Sequence, residues 1–279
     1  MKLLRFGPAG RERPGLVDGS GRVRDISRVT PDLSGEILDS ELLARLYHQD
    51  PAAFPIVDNP GRIGPCVGGI GKIVAVGLNY ADHAAESGMA APTEPILFMK
   101  STSSLIGPND PVPMPTGSSK LDWEIELGVV IGRRARNVGE ADALDHVSGY
   151  CIVNDVSERA WQLDRLGQWV KGKSADGFCP IGPWLVTKDE IPDPQNLAMT
   201  LDVDGRRRQS GNTRTMVFGV AFLVSYISRF MTLEPGDLIA TGTPPGVGMG
   251  QKPPVYLAPG NIMRLEIAGL GSQSQQVVS

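Results

Sequence analysis

A mainly β chain with some helix, its strands rolled or sandwiched, is predicted by three observations. Short apolar runs recur from residue 71 onward, among them "KIVAVGLNY", "GVVIG", "GYCIVND" and "GPWLVT". Gly and Pro, 34 and 23 of the 279 residues, punctuate these runs with turn signals. One later segment, "TMVFGVAFLVSYISRFM" at 215–231, reads as a long helix, apolar on most faces and therefore buried. So few helices weigh against alternating strand–helix units.

In chain order, "KLLRFG" is strand-like, and "PGLVDGSGRVRDIS" carries the D-G and S-G signals of a hairpin. A helix follows in "DSELLARLYHQD": Ser40 can cap it, Leu42, Leu43 and Leu46 share a face, and Pro51 ends it. His48 falls in its last turn, where a charged imidazole suits the helix dipole. The Gly/Pro-dense stretch "FPIVDNPGRIGPCVGGIG" sets a boundary near residue 70. The expected organisation is a small N-terminal α+β domain over 1–70 and a main body over 71–279. Further strands are expected in "LAMTLDVDGRRR", "GDLIATGT" and "NIMRLEIAG".

Composition removes several classes of function. A formal charge of −4 argues against nucleic acid or an anionic membrane as partner, since phosphate binding needs a basic surface. The one basic run, "GRRRQ" at 205–209, reads as an exposed hairpin arm. The start lacks the apolar core of a signal peptide, and nowhere do 18 apolar residues run together. Three widely spaced cysteines, 66, 151 and 179, suit reduced thiols, so a cytoplasmic location is expected.

"LDWEIELGVV", residues 121–130, raises the chemical question. Glu124 and Glu126 stand two apart in an apolar run and so share a strand face. Two like charges there repel unless solvated or bridged by a cation. One reading is an edge strand with a wet acidic face; the other is a divalent cation site. A hard cation such as Mg2+ takes oxygen ligands and keeps open positions for substrate. The best third carboxylate is Asp155, where the apolar strand "SGYCIVND" emerges into polar sequence. Asp122, Glu140, Asp142 and Asp145 read as solvated, and His146 is a poor ligand for such an ion.

Two further segments carry reactive groups. In "GLNYADHAAESG", His83 and Glu86 are three apart, so on a helical turn the carboxylate can orient the imidazole as a base for water. In "WVKGKSADGFCPIGPW", Lys173 stands where an ammonium could meet developing negative charge; Lys171 is its near competitor. "TGTPPGVGMGQ" lacks the ending of a phosphate loop and reads as a shaped loop that lines a pocket with hydroxyls and backbone N–H groups.

Taken together, "GLNYADHAAE", "PILFMK", "DWEIELGVVIG", "NDVSERAWQ", "GKSADGFCPIGPW" and "TGTPPGVG" resemble the fumarylacetoacetate hydrolase family over about residues 70–270. The resemblance implies a mixed β-sandwich roll preceded by the small N-terminal domain, and a homodimer. It implies that Glu124, Glu126 and Asp155 bind Mg2+, with Mn2+ as an alternative and Ca2+ able to occupy the site. It implies that His83 and Glu86 lie on a mobile lid and activate water, that Lys173 stabilises charge on the substrate, and that Gln162 and Thr243 contact substrate oxygens. Where several members carry Arg before the Asn-Tyr pair this chain has Leu78, so their substrates do not transfer.

The function expected on this resemblance is metal-dependent hydrolysis of a carbon–carbon bond in a 2,4-diketo acid, either an acylpyruvate or a 2,4-diketo-3-deoxy sugar acid. Bacterial sugar-acid enzymes, often labelled ureidoglycolate lyase, are the most similar members. Ureidoglycolate lysis or oxaloacetate decarboxylation on the same site is the alternative. A third reading is a non-catalytic, metal-stabilised binding protein, which predicts that the base pair and Lys173 lie far from the acids.

Overall fold

The computed structural model of the chain describes residues 1–82 and 92–279, with the backbone alone at Glu36, Ser40, Glu41 and Leu42. The fold is mainly β with few helices, and its sheets are mixed and unclosed. Among the described residues ten strands form one sheet and five form a second, and a two-stranded ladder joins Leu121–Asp122 to Ser157–Glu158.

The N-terminal residues feed directly into the large sheet. Arg13–Val17 pairs antiparallel with Val23–Asp25 across the expected turn, where Asp18 Oδ1 accepts from the Ser20 N–H at 2.9 Å and the Arg22 N–H at 3.1 Å. Lys2–Phe6 then pairs antiparallel with Cys179–Thr187, setting Leu3 opposite Leu185. The helix spans Ser40–Tyr47, and a 3-10 turn begins at Pro51.

At the centre of the large sheet run Ile125–Ile131 and Val147–Asn154, antiparallel neighbours with Glu126 opposite Val153 and Ile125 opposite Asn154. Strand periodicity divides their side chains between two cores. Ile125, Leu127, Val129 and Ile131 join the cluster that fills the space toward the second sheet. Val130, Cys151 and Val153 point the other way, into a cluster shared with Leu3, Leu16 and Leu33 of the N-terminal residues. At Gly128 a Cβ would meet the Cys151 sulfur at 2.7 Å, so only glycine lets the neighbouring strand pack this closely.

The helix predicted over 215–231 occupies Val220–Phe230; Thr215 instead ends a 3-10 turn, Thr213–Thr215, and 216–219 are not helical. Its burial is one-sided rather than complete. Leu223, Val224 and Ile227 are in the core, whereas Phe218, Phe222, Tyr226 and Phe230 line up along a half-exposed to exposed face with successive centroids 5.0–5.8 Å apart. The basic run also departs from expectation. Arg206 and Arg207 are exposed, but Gln209 is fully buried. Among the described residues no helix is long and apolar enough to cross a membrane.

Candidate metal centre

The strand carrying the acids breaks where they begin. Leu121–Asp122 and Ile125–Ile131 are separate strands, and Trp123 and Glu124 form the step between them. Trp123 anchors the step: its ring is fully buried and its Nε1 donates to the Gly246 carbonyl at 3.1 Å. With Trp123 and Ile125 turned into the core, Glu124 and Glu126 face the opposite side. Across the ladder, the Asp155 N–H donates to the Glu124 carbonyl at 2.9 Å, which extends the register one step beyond Ile125–Asn154 and sets Asp155 beside Glu124. One oxygen from each of Glu124, Glu126 and Asp155 lies within 4.8 Å of the others, and all three residues are buried.

Three cations surround these acids. Lys173, at the end of the one-turn helix Val170–Lys173, donates from Nζ to Glu124 Oε2 and Asp155 Oδ2, each at 2.7 Å. Arg159 Nη2 reaches Glu124 Oε1 at 2.6 Å, while its Nε donates to Asp122 Oδ2 at 2.8 Å and its Nη1 to Gln162 Oε1 at 3.0 Å. Lys100, whose side chain is 0% exposed, donates to Asp155 Oδ1 at 2.5 Å and to the Lys173 carbonyl at 2.5 Å. Glu126 is different. It accepts from the Gly242 N–H at 2.9 Å, and among the described residues no basic side chain pairs with it.

The two glutamates therefore titrate in opposite directions. Burial pushes Glu124 up, but Arg159 and Lys173 outweigh it and bring its pKa down to about 2. Burial pushes Glu126 up as well, and there the Asp155 and Glu124 carboxylates add to the effect, so it stands well above the ordinary range. The donor set fits a hard dication. Ligand oxygens on one octahedral ion sit about 3 Å apart when adjacent and about 4 Å when opposite, within the spread seen here. A double positive charge would also relieve the crowding that raises Glu126.

Glu124, Glu126, Lys173, Gln162 and Thr243 all line one cavity of about 300 Å3. It is also lined by Val76, Gly77, Leu78, Phe98, Arg159, Leu163, Trp169 and Met249. Lys171, by contrast, is exposed and donates to the Arg165 carbonyl at 3.2 Å. His83 and Glu86 lie outside the described residues. Asp122, read from sequence as solvated, is instead fully buried: it accepts from the Trp123, Gly248 and Met249 N–H groups at 2.8, 2.6 and 3.0 Å as well as from Arg159.

Sequence reasoning missed four residues. Lys100 was visible only as the polar end of "PILFMK", and its arrival at Asp155 depends on a strand 55 positions away. Arg159, four residues after Asp155, and Asp122, two before Glu124, had the right spacing to be noticed. Gln209 carried no signal at all. It reaches in from the second sheet, accepting from the Ile125 N–H at 3.1 Å and donating to Thr243 Oγ1 at 2.8 Å.

With the geometry established, comparison with known proteins is decisive. A family model described as fumarylacetoacetate hydrolase, C-terminal, matches residues 72–278. The chain belongs to the fumarylacetoacetate hydrolase family. A Burkholderia cenocepacia protein whose name goes no further than hydrolase is 61% identical over 277 residues, 99% of this chain and 98% of that one. Among solved structures, fumarylacetoacetate hydrolase from Exiguobacterium antarcticum superposes with a TM-score of 0.88 at 39% identity, covering 100% of this chain and 99% of that one. Maleylpyruvate hydrolase from Sphingobium sp. SYK-6, in complex with manganese(II) and pyruvate, gives 0.81 at 31% identity, covering 100% and 99%. The family model begins at the strand Ile73–Gly77, just after the Gly/Pro-dense stretch.

Proposed function

We propose that this family member is a divalent-metal-dependent hydrolase that cleaves the C3–C4 bond of a 2,4-diketo acid, giving pyruvate and a second carboxylic acid. The observation that carries the proposal is the buried Glu124–Glu126–Asp155 cluster with the Lys173 ammonium 2.7 Å from two of its members, at one end of a substrate-sized cavity. The solved maleylpyruvate hydrolase, which holds manganese(II) and pyruvate on a similar fold, supports it. When bound, Mg2+ or Mn2+ supplies Lewis acidity and a template for an α-keto carboxylate.

The chain's own residues do the rest. Arg159 fixes Glu124 and Gln162 in place, and Asp122 in turn fixes Arg159. Gln162 and Thr243, on the cavity wall, are the assigned contacts to substrate oxygens. His83, its imidazole oriented by Glu86, takes a proton from water, and that water adds to the C4 carbonyl. The C3–C4 bond then breaks, and its electron pair is left on the pyruvate fragment as an enolate. Lys173 Nζ meets the developing charge on the enolate oxygen, and protonation at C3 completes pyruvate.

The test is turnover by purified protein, with and without chelator, read as pyruvate release from acylpyruvates, 2,4-diketo-3-deoxy sugar acids and oxaloacetate, and as glyoxylate release from ureidoglycolate. Release from a diketo acid that stops on chelation and returns with Mg2+ or Mn2+ is expected. His83→Ala should abolish it and spare ion binding. Turnover of oxaloacetate or ureidoglycolate with no diketo acid cleaved would replace the proposal with the alternative chemistry.

A further inference from the structure

The cavity is lined by two chemically distinct sets of residues, and the apolar set bears on the substrate. Beside the acids, two of the polar lining groups are already held by the protein. Thr243 Oγ1 donates its one proton to the Ile125 carbonyl at 2.8 Å and accepts from Gln209 at 2.8 Å. Arg159 spends Nε, Nη1 and Nη2 on Asp122, Gln162 and Glu124. The rest of the lining presents mainly carbon and sulfur side chains: Val76, Leu78, Phe98, Leu163, Trp169 and Met249.

This wall is assembled with care. A Cβ on Gly77 would come within 2.5 Å of the Trp169 ring, so glycine there lets the indole lie directly against the strand. Phe98 packs edge-on to Trp169, centroids 5.3 Å apart, and its ring stands 5.3 Å from Lys173 Nζ. Phe98 thus touches both the apolar lining and the Lys173 ammonium. Leu78 is held in the left-handed region, φ +54°, a conformation uncommon for a leucine. It is pinned there by its neighbour: Asn79 Nδ2 donates to the Phe218 and Thr241 carbonyls at 3.0 and 2.8 Å, and its Oδ1 accepts from the Phe218 N–H at 2.8 Å. Asparagine or glycine would take that backbone with less strain. A leucine kept there points to a use for its side chain.

We infer that the substrate is a 2,4-diketo acid with an apolar acyl tail, alkyl or aryl, and that Leu78 is a specificity-determining residue against hydroxylated and carboxylated tails. The inference rests on the reaction proposed above and narrows it to acylpyruvates over sugar acids. A polyhydroxylated tail would bury its hydroxyls against carbon, and among the described residues a second carboxylate would meet no cation from Val76, Leu78, Phe98, Leu163, Trp169 or Met249. An alkyl tail matches it.

Calorimetric titration of the Mn2+-loaded protein tests this without turnover. The ligands are pyruvate, 2-oxohexanoate, 2-oxoadipate and a 2-oxo-3-deoxy sugar acid. The alkyl tail should tighten binding over pyruvate by at least about tenfold, and neither the carboxylated nor the hydroxylated tail should bind more tightly than pyruvate. Leu78→Asn, compatible with the left-handed backbone, should reduce the 2-oxohexanoate-to-pyruvate ratio by about tenfold with the thermal midpoint maintained. A sugar acid or 2-oxoadipate that binds more tightly than 2-oxohexanoate overturns the inference, as does a ratio indifferent to Leu78→Asn. Alkyl preference in binding with no cleavage of any alkyl acylpyruvate sinks the reaction but leaves the apolar tail site standing. Cleavage with a preference for the sugar acid does the reverse, and no binding by any 2-oxo acid removes both.

Discussion

Arg5 and Arg62, beside the N-terminal strands, divide three carboxylates between them. Arg5 pairs with Asp32 at 2.6 Å and Glu12 at 3.5 Å, and Arg62 with Glu12 at 2.7 Å and Asp110 at 2.5 Å. Every acid in that network faces a guanidinium, and the arginines keep 12% and 28% of their side-chain surface in solvent. In the acid cluster at the sheet centre, Lys100, Lys173 and Arg159 serve Asp155, Glu124 and Asp122, all nearly sealed from water, while Glu126 is left with a backbone N–H. The first network is electrostatically complete and ties the N-terminal residues to Asp110 of the body. The second holds an unpaired buried carboxylate, an arrangement that costs stability unless a cation arrives. A charge cluster that is incomplete by itself marks the place where something binds.

The sharpest way to break this comparison is to neutralise the odd acid. Glu126→Gln should weaken Mn2+ binding at least about 100-fold, read by calorimetry, while the metal-free protein melts no lower than the parent. A variant that binds Mn2+ normally would remove Glu126 from the ligand set. Next in size is loss of a sealed cation. Lys100→Met breaks the sealed Lys100–Asp155 pair, leaves Asp155 to Lys173 alone, and should cost about 3–5 kcal/mol in urea unfolding, whereas Arg5→Met, in the wetter network, should cost about 1.5–3 kcal/mol. Equal losses would erase the distinction between the clusters.

The pH dependence should differ with metal content. In chelator, the stability due to Glu124 is present above its ordinary value of 4.5 and lost as pH falls through about 2. Glu126 has the opposite sign: its contribution is present below 4.5 and lost as pH rises through its elevated folded value. The chelated protein should therefore lose thermal stability on going from about pH 5 to about pH 8, and excess Mn2+ should abolish that loss, because the ion holds Glu126 ionised. A chelated protein that gains stability over this range would contradict the assignment. The smallest effect belongs to the exposed Arg207–Asp202 pair: Arg207→Ala should change stability by less than about 1 kcal/mol, a control that shows surface charge matters little here.

Much of the site was legible in the order of the residues. The two-residue spacing of Glu124 and Glu126 dictated a shared face, and the polar emergence of "SGYCIVND" pointed to Asp155. The preference for Lys173 over Lys171 matches a buried ammonium against an exposed one. What misled was local polarity. "GRRRQ" looked like a wholly solvated arm, yet alternation along Arg206–Asn212 turns Gln209 inward to bond three different groups. The long helix, apolar on most faces, reads as buried, but four aromatics spaced four apart cover one another on its outer side.

By itself, then, the order of residues determined the strands, the turns and the family, because periodicity and turn chemistry act over a few neighbours. It also determined which acids could face one another. Only the tertiary structure decided that Lys100, Arg159 and Gln209 close around those acids, and that apolar side chains from Val76 to Met249 line the same cavity. Those contacts join residues far apart in the chain. Their energies come from removing charge and carbon from water together, which no local pattern records.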